Sequence, residues 1–236
     1  MKRYHINPFA DLVGQYRHPA SDSMSDMDHG PFVTISRESG SGGTSLASML
    51  ARHLNSEASK EAQWTIFDAN LIATVLKTHH LQPQLARFLP EDRLPEFESA
   101  IGEMVGLHPN LWDLVKKTNE TISQLAQKGH VILVGRGASF VTADLDNGLH
   151  VRTVAPAAQR AHFVAHRYDM TEELALAYNE RCDAASRRYV KSNFNADITD
   201  PSNYDLVINT GRISLGDAAN LIANLVNARS KVPALA

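Results

Sequence analysis

The chain has 236 residues, 43% of them hydrophobic and 21% charged, with 23 basic side chains against 26 acidic ones and a formal net charge of −3. Such a composition is ordinary for a globular protein, and the length buries a substantial core without metal or disulfide staples; the basic excess of a nucleic-acid surface is absent. A single cysteine, Cys182, excludes an intrachain disulfide framework and suits a reducing cytoplasm, and no apolar run approaches the roughly 18 residues of a membrane helix.

Residues 1–30 are rich in His, Asp, Ser and Met with few regularly spaced apolar positions, and read as an arm that is poorly structured or docked on the body. Their two early basic residues have no continuous apolar segment behind them, unlike a secretory signal. The stretch from Pro31 to Ser36 has strand character, a glycine-rich turn runs from Arg37 to Ser45, and apolar residues at 46, 47, 50, 51 and 54 have helical spacing. Trp64 to Phe67 reads as a short strand ending at Asp68, followed by helical stretches over 71–77 and 90–106, the latter with Phe97, Ile101, Met104 and Val105 as its stripe. The clearest helix runs from Asn110, a plausible N-cap, to Lys128, with Gly129 as its stop and Leu111, Leu114, Val115, Ile122 and Leu125 on its buried face. His130 to Val134 is a continuous apolar run, as expected of a strand covered on both faces. A further strand spans 148–154, Pro156 opens a helix to His166, and a long helix runs from Thr171 to about Val190. Tyr204 to Asn209 is the last strand, and Ser214 caps the final helix with Asp217 three residues on.

Strands alternating with helices in this way predict an α/β protein with a three-layer α/β/α arrangement around a five-stranded, mostly parallel sheet. Ligands of such sheets sit at the carboxyl ends of the strands. Here those ends are 37–44, Asp68, 135–137 and Asn209-Thr210.

Gly40, Ser41, Gly42, Gly43, Thr44 and Ser45 lie between strand and helix, where glycines let backbone N–H groups face an anion and the helix N-terminus adds partial positive charge. A tight turn that needs glycine for conformation alone is the plain alternative. Aligned with G-x-x-x-x-G-K-[ST], Arg37 takes the first glycine, Gly43 takes the lysine, and Thr44 keeps the hydroxyl that binds Mg²⁺. Arg136, between Gly135 and Gly137 after the most apolar strand, suits bidentate phosphate contact or an ordinary ion pair. On the long helix Asp183 and Arg187 are four apart and able to pair, while Arg181 and Arg188 share a face. That cluster is either a solvated face or a lid whose arginines close on phosphates. Asp68 suits a ribose, an acceptor or a helix cap, and Cys182 with Leu174, Tyr178, Ala185 and Tyr189 suits packing.

At these residues the chain resembles the cytidylate kinase-like family, a branch of the P-loop nucleoside monophosphate kinases. The matching stretches are 33–43, 131–138, 151–156, 181–191 and 204–210, together spanning about 31 to 228. The resemblance implies ATP bound at Gly40 to Thr44 with Mg²⁺, and a phosphorylated acceptor near Asp68 and Arg136. It also implies a helical acceptor-binding insertion over about 69–108, a lid over about 168–200, and roles for Arg181, Asp183, Arg187 and Arg188 within that lid. Two positions depart from the cytidylate kinases themselves: Gly43 replaces their lysine, and Gly137 replaces an aspartate that follows their glycine-arginine pair. The Ser-Arg-Glu-x-Gly-Ser-Gly-Gly form is frequent in the like-family, and Arg37 or a lid arginine is then the source of the missing charge.

Three functions follow from this reading. The first is ATP-dependent phosphoryl transfer to a nucleoside monophosphate or similar small phosphorylated acceptor, with Arg37 and the lid arginines neutralising charge. The second is a nucleotide-binding regulatory module without turnover, motivated by Gly43. The third is a dinucleotide-binding fold, since Gly40 to Ser45 approximates G-x-G-x-x-G/A and Asp68 ends the second strand.

Overall fold

The structure, a computed structural model, describes residues 30–59, 62–68, 109–135 and 137–229. The expected arm before Gly30, the helical insertion over 69–108 and Arg136 lie outside the described residues, as do the side chains of 109–114.

The alternating pattern produces β1 (Phe32–Arg37), α1 (Gly43–Glu57), β2 (Thr65–Phe67), α2 (Pro109–Lys128), β3 (Val131–Val134), α3 (Ala138–Val141), β4 (Gly148–Val154), α4 (Ala157–Tyr168), α5 (Glu172–Phe194), β5 (Leu206–Asn209) and α6 (Leu215–Arg229). The strands form one sheet in the order β2-β3-β1-β4-β5, and every pairing is parallel. With β3 and not β2 beside β1, the order differs from the 3-2-1-4-5-6 of dinucleotide-binding sheets, so that reading is not carried further. No described helix is long and apolar enough to cross a membrane.

Side chains alternate across each strand, and the parallel register stacks like on like. Val33 and Ile35 pair with Ile132 and Val134, and these pack with Leu46, Leu50, Ile222 and Val226 of α1 and α6 on one face of the sheet. Phe32 pairs with Val131 and Thr34 with Leu133, and there the opposite face buries Phe32, Phe67, Val131 and Leu133 against Ile122, Leu125 and Ala126 of α2. Burying each of these large side chains contributes about 1.5–3 kcal/mol. The central strand β1 is covered on both faces and flanked on both edges, so the loop that follows it starts from a held strand end.

Several element ends differ from the sequence expectation. The helix α2 begins at Pro109, so Asn110 lies in the first turn and is not the cap; proline's fixed φ and missing N–H suit the first helical position. In α5 the helix runs on to Phe194, and Thr171 accepts the N–H of Leu174 at 3.3 Å. Leu174 is 61% exposed and does not pack as expected, whereas Cys182 and Ala185 are buried. The cap of α6 forms as read: Ser214 Oγ accepts the Asp217 N–H at 3.1 Å and lies 2.6 Å from its carboxylate.

Gly129 ends α2 with φ of 78°, and a Cβ there would lie 2.1 Å from the carbonyl oxygen of Gly30, a backbone atom that cannot yield. Gly129→Ala is therefore expected to cost about 2–4 kcal/mol in urea unfolding, combining left-handed strain with the clash; a loss under about 0.5 kcal/mol would contradict it.

Candidate functional site

The backbone turns from β1 into α1 through two left-handed glycines, Gly40 at φ 78° and Gly42 at φ 82°. No side chain caps α1. The first intrahelical bond joins Leu46 N–H to Gly42 O at 2.8 Å, so the N–H groups of Gly43, Thr44 and Ser45 precede the helical ladder. These residues line a cavity with Arg37, Gly40 and Gly42, whose far wall is Phe163, Arg167 and Tyr168 of α4 with Tyr178 and Asp183 of α5. An uncapped helix start facing a cavity attracts anions, because the dipole and the orphan donors act together.

Ser41 plays a different part from its neighbours. Its N–H donates to Glu38 O at 3.1 Å, and its hydroxyl reaches Glu38 O and Thr153 Oγ1, each at 2.8 Å. Its carbonyl accepts the Thr210 hydroxyl at 2.8 Å. The Ser41 side chain thus ties the loop to β4 and to the connection after β5, and points away from the cavity.

A second set of contacts fixes the loop from outside, around an arginine that sequence reasoning missed. Arg160 of α4 donates to Ser39 O at 2.7 Å and to Asp183 at 2.8 Å through Nη1. Its Nε donates to Ala155 O at 3.0 Å and lies 3.4 Å from the Glu38 carboxylate. Asp183 in turn accepts the Ser39 N–H at 2.7 Å, and Asn179, one turn earlier and 1% exposed, accepts the Ser39 hydroxyl at 2.8 Å. Asp183 therefore pairs with Arg160 on the neighbouring helix and not with Arg187 on its own. Position 160 carries no sequence signal beyond helical spacing on α4, since its partners are 23 and 121 residues away.

A second hollow lies at the carboxyl ends of β1 and β3. It is lined by Ser36, Arg37, Gly135, Gly137, Ser139 and Phe140, and by Ser186 and Tyr189 of α5. Beneath it, Arg152 of β4 is buried, donates to Ser36 Oγ at 3.0 Å and lies 5.7 Å from the centre of the Tyr204 ring. Tyr204 donates to Ile198 O at 2.9 Å. Close by, the N–H and hydroxyl of Thr199 hold the Asp197 carboxyl below its usual range, with the Arg152 charge a lesser cause. Gly137, the departure noted above after the glycine-arginine pair, is the N-cap of α3 with φ 68°. A Cβ there would lie 2.5 Å from the ring of Phe194, which stacks on Phe140 at 5.6 Å between centroids.

The structure brings Arg37, Gly40, Gly42, Gly43, Thr44, Ser45 and Asp183 to one cavity. It does not bring the α5 arginines there: Arg181, Arg187 and Arg188 are exposed and line neither hollow. At 100° per residue Arg187 flanks the stripe of Asn179 and Asp183, while Arg181 and Arg188 point to the opposite side. Asp68 stands half-buried at the end of β2.

Arg160 and Asp183 are only 11% and 12% exposed, so each leaves a poorly solvated charge behind if the other is removed. Arg160→Met and Asp183→Asn are each expected to cost about 2–4 kcal/mol, and the double variant well under the sum. A coupling energy below about 0.5 kcal/mol in the urea-unfolding cycle would contradict the latch.

Comparison with known proteins adds the lineage. The cytidylate kinase-like family matches residues 32–212. The cytidylate kinase of Methanopyrus kandleri is 29% identical over 199 residues, covering 80% of this chain and 90% of that protein. That of Pyrococcus horikoshii is 25% identical over 182 residues, covering 77% and 81%. A shorter match to the cytidylate kinase of Methanocaldococcus jannaschii, 29% identical over 108 residues, covers 44% of this chain and 60% of that protein. Among solved structures, an uncharacterized protein from Eubacterium ventriosum shares the fold at a TM-score of 0.62 and 20% identity, over 84% of this chain and 99% of that one. With its β1 loop, parallel sheet order and a family match over most of its length, the chain belongs to the cytidylate kinase-like family.

Proposed function

We propose that the chain is an ATP-dependent phosphotransferase of the cytoplasm that acts on a nucleoside monophosphate or similar small phosphorylated acceptor. The observation that carries this reading is the uncapped start of α1 opening on a cavity, with a second hollow beside it at the ends of β1 and β3. Donor phosphates are held by the N–H groups of Gly43, Thr44 and Ser45. Asp68 and Arg136 bind the acceptor, which enters the second hollow. Thr44 is exposed in the first turn of α1 and lines the cavity, so its hydroxyl fits a hard divalent cation. When bound, Mg²⁺ neutralises charge on the donor phosphates.

In the transfer, an acceptor phosphate oxygen bonds to the γ-phosphorus of ATP as the bond to the β-γ bridging oxygen breaks, and ADP leaves with that electron pair. No covalent group of the protein takes part. Its contribution is positioning and fixed positive potential. Arg181, Arg187 and Arg188 of α5 are further sources of that charge. Asp183 acts through Ser39 as a positioning residue for the loop.

A regulatory module that binds nucleotide without turnover is the second reading. It is favoured by Gly43 at the lysine position and by the direct contacts that tie Ser39 of the loop to α5, a ready route from bound nucleotide to helix.

A coupled assay with Mg-ATP and a panel of nucleoside monophosphates tests both. Acceptor-dependent ADP formation is expected, abolished by chelating the metal and lowered at least about 100-fold in kcat/KM by Arg136→Ala. Calorimetric binding of Mg-ATP with no turnover on any acceptor would replace the enzyme reading with the regulatory one.

A further inference from the structure

In the pattern G-x-x-x-x-G-K-[ST], position one is bare and position seven carries the charge. This chain reverses the two, with Arg37 at position one and Gly43 at position seven. The structure places the two residues against each other. A Cβ built on Gly43 would lie 3.0, 3.1 and 3.3 Å from Cβ, Cδ and Cγ of Arg37. The aliphatic stem of Arg37 thus crosses the α-carbon of Gly43 and fills the space through which a side chain at 43 would leave the backbone.

The location of Arg37 gives the crossing a chemical consequence. Arg37 lines both the loop cavity and the hollow at the ends of β1 and β3, and among the described residues only Ser186 does the same. A cation on the partition between donor and acceptor sites stands where charge develops on a transferring phosphoryl group. The other arginines are placed differently. Arg167 lines the loop cavity alone, its guanidinium 5.9 Å from the centre of the Tyr168 ring, and Arg160 is committed to Ser39, Asp183, Ala155 and Glu38, while Arg181, Arg187 and Arg188 line neither hollow.

We propose that Arg37 takes over in space the role of the loop lysine, contacting the terminal donor phosphate, and that residue 43 is glycine because the Arg37 stem passes over it. This rests on the phosphotransfer reading and deepens it. The guanidinium presents a planar fork to two phosphate oxygens, where an ammonium is a point charge. The exchange therefore changes how the phosphate is gripped as well as which residue grips it.

Calorimetric titration of Mg-ATP into the full chain tests the assignment, with thermal unfolding run on every variant. Arg37→Met keeps the stem over Gly43 and removes the charge, and is expected to weaken binding about 10- to 100-fold at a temperature where the variant is folded. Arg37→Lys should retain part of the affinity. The exchange variant Arg37→Gly with Gly43→Lys should bind at least about tenfold more tightly than Arg37→Gly alone, which keeps the test meaningful if the Met variant folds poorly. Wild-type affinity in Arg37→Met, or no recovery in the exchange variant, would overturn the assignment and leave the phosphotransfer reading standing. Failure of the wild-type chain to bind Mg-ATP would overturn both.

Discussion

The ion pair of Arg160 with Asp183 joins α4 to α5, and the loop after β1 takes its shape from that join. Two charges brought together with little water interact strongly only if their remaining hydrogen-bonding capacity is also met. Here it is met by the loop: Ser39 offers its carbonyl to Arg160 and its N–H to Asp183. The packing that allows this is made by small side chains. Ala161, Ala165 and Ala175 let the two helices approach closely enough for the pair to form. A glycine-rich loop would otherwise be the freest part of the chain, since glycine gives up the most conformational entropy on ordering. The latch fixes the outer side of the loop and Ser41 fixes its inner side, leaving the first-turn N–H groups of α1 to face the cavity.

The two positions at which the chain departs from cytidylate kinases share one structural form. Gly43 lies beneath the stem of Arg37, and Gly137 lies beneath the ring of Phe194. In each case another side chain occupies the space that a Cβ would need. The first substitution leaves a charge near the loop after β1, carried from a different backbone position. The second puts an aromatic group, stacked on Phe140, where those kinases have an aspartate. Loss of a motif residue in sequence is therefore not loss of its volume in the fold, and at the loop it need not be loss of its charge.

Arg152 illustrates the same theme in the second hollow. A buried arginine on a central strand is costly unless its donors and its charge are answered. It is answered by the Ser36 hydroxyl and the face of Tyr204. Tyr204 is held in turn by Ile198, on the connection that follows α5. The ends of β1 and β4 and the segment beyond α5 thus form one connected polar layer under the site.

The sequence alone determined the α/β class, the number of strands, the glycine loop between β1 and α1, and the family. Each of these is written in local periodicity, in turn residues, or in motifs contiguous along the chain. The capping box at Ser214 and the stop at Gly129 were legible for the same reason, because their partners are neighbours. Only the tertiary structure decided the strand order, the latch, the inward role of Ser41 and the residence of Arg37 and Phe194 over glycines. These depend on groups brought together from distant positions: Arg160 with Ser39, Asp183 with Ser39, Phe194 with Gly137. Spacing along a helix suggested that Asp183 would meet Arg187, one turn away. The fold offered Asp183 a partner on another helix together with a backbone N–H, and two hydrogen bonds in a poorly solvated niche outweigh one exposed pair on a helix surface.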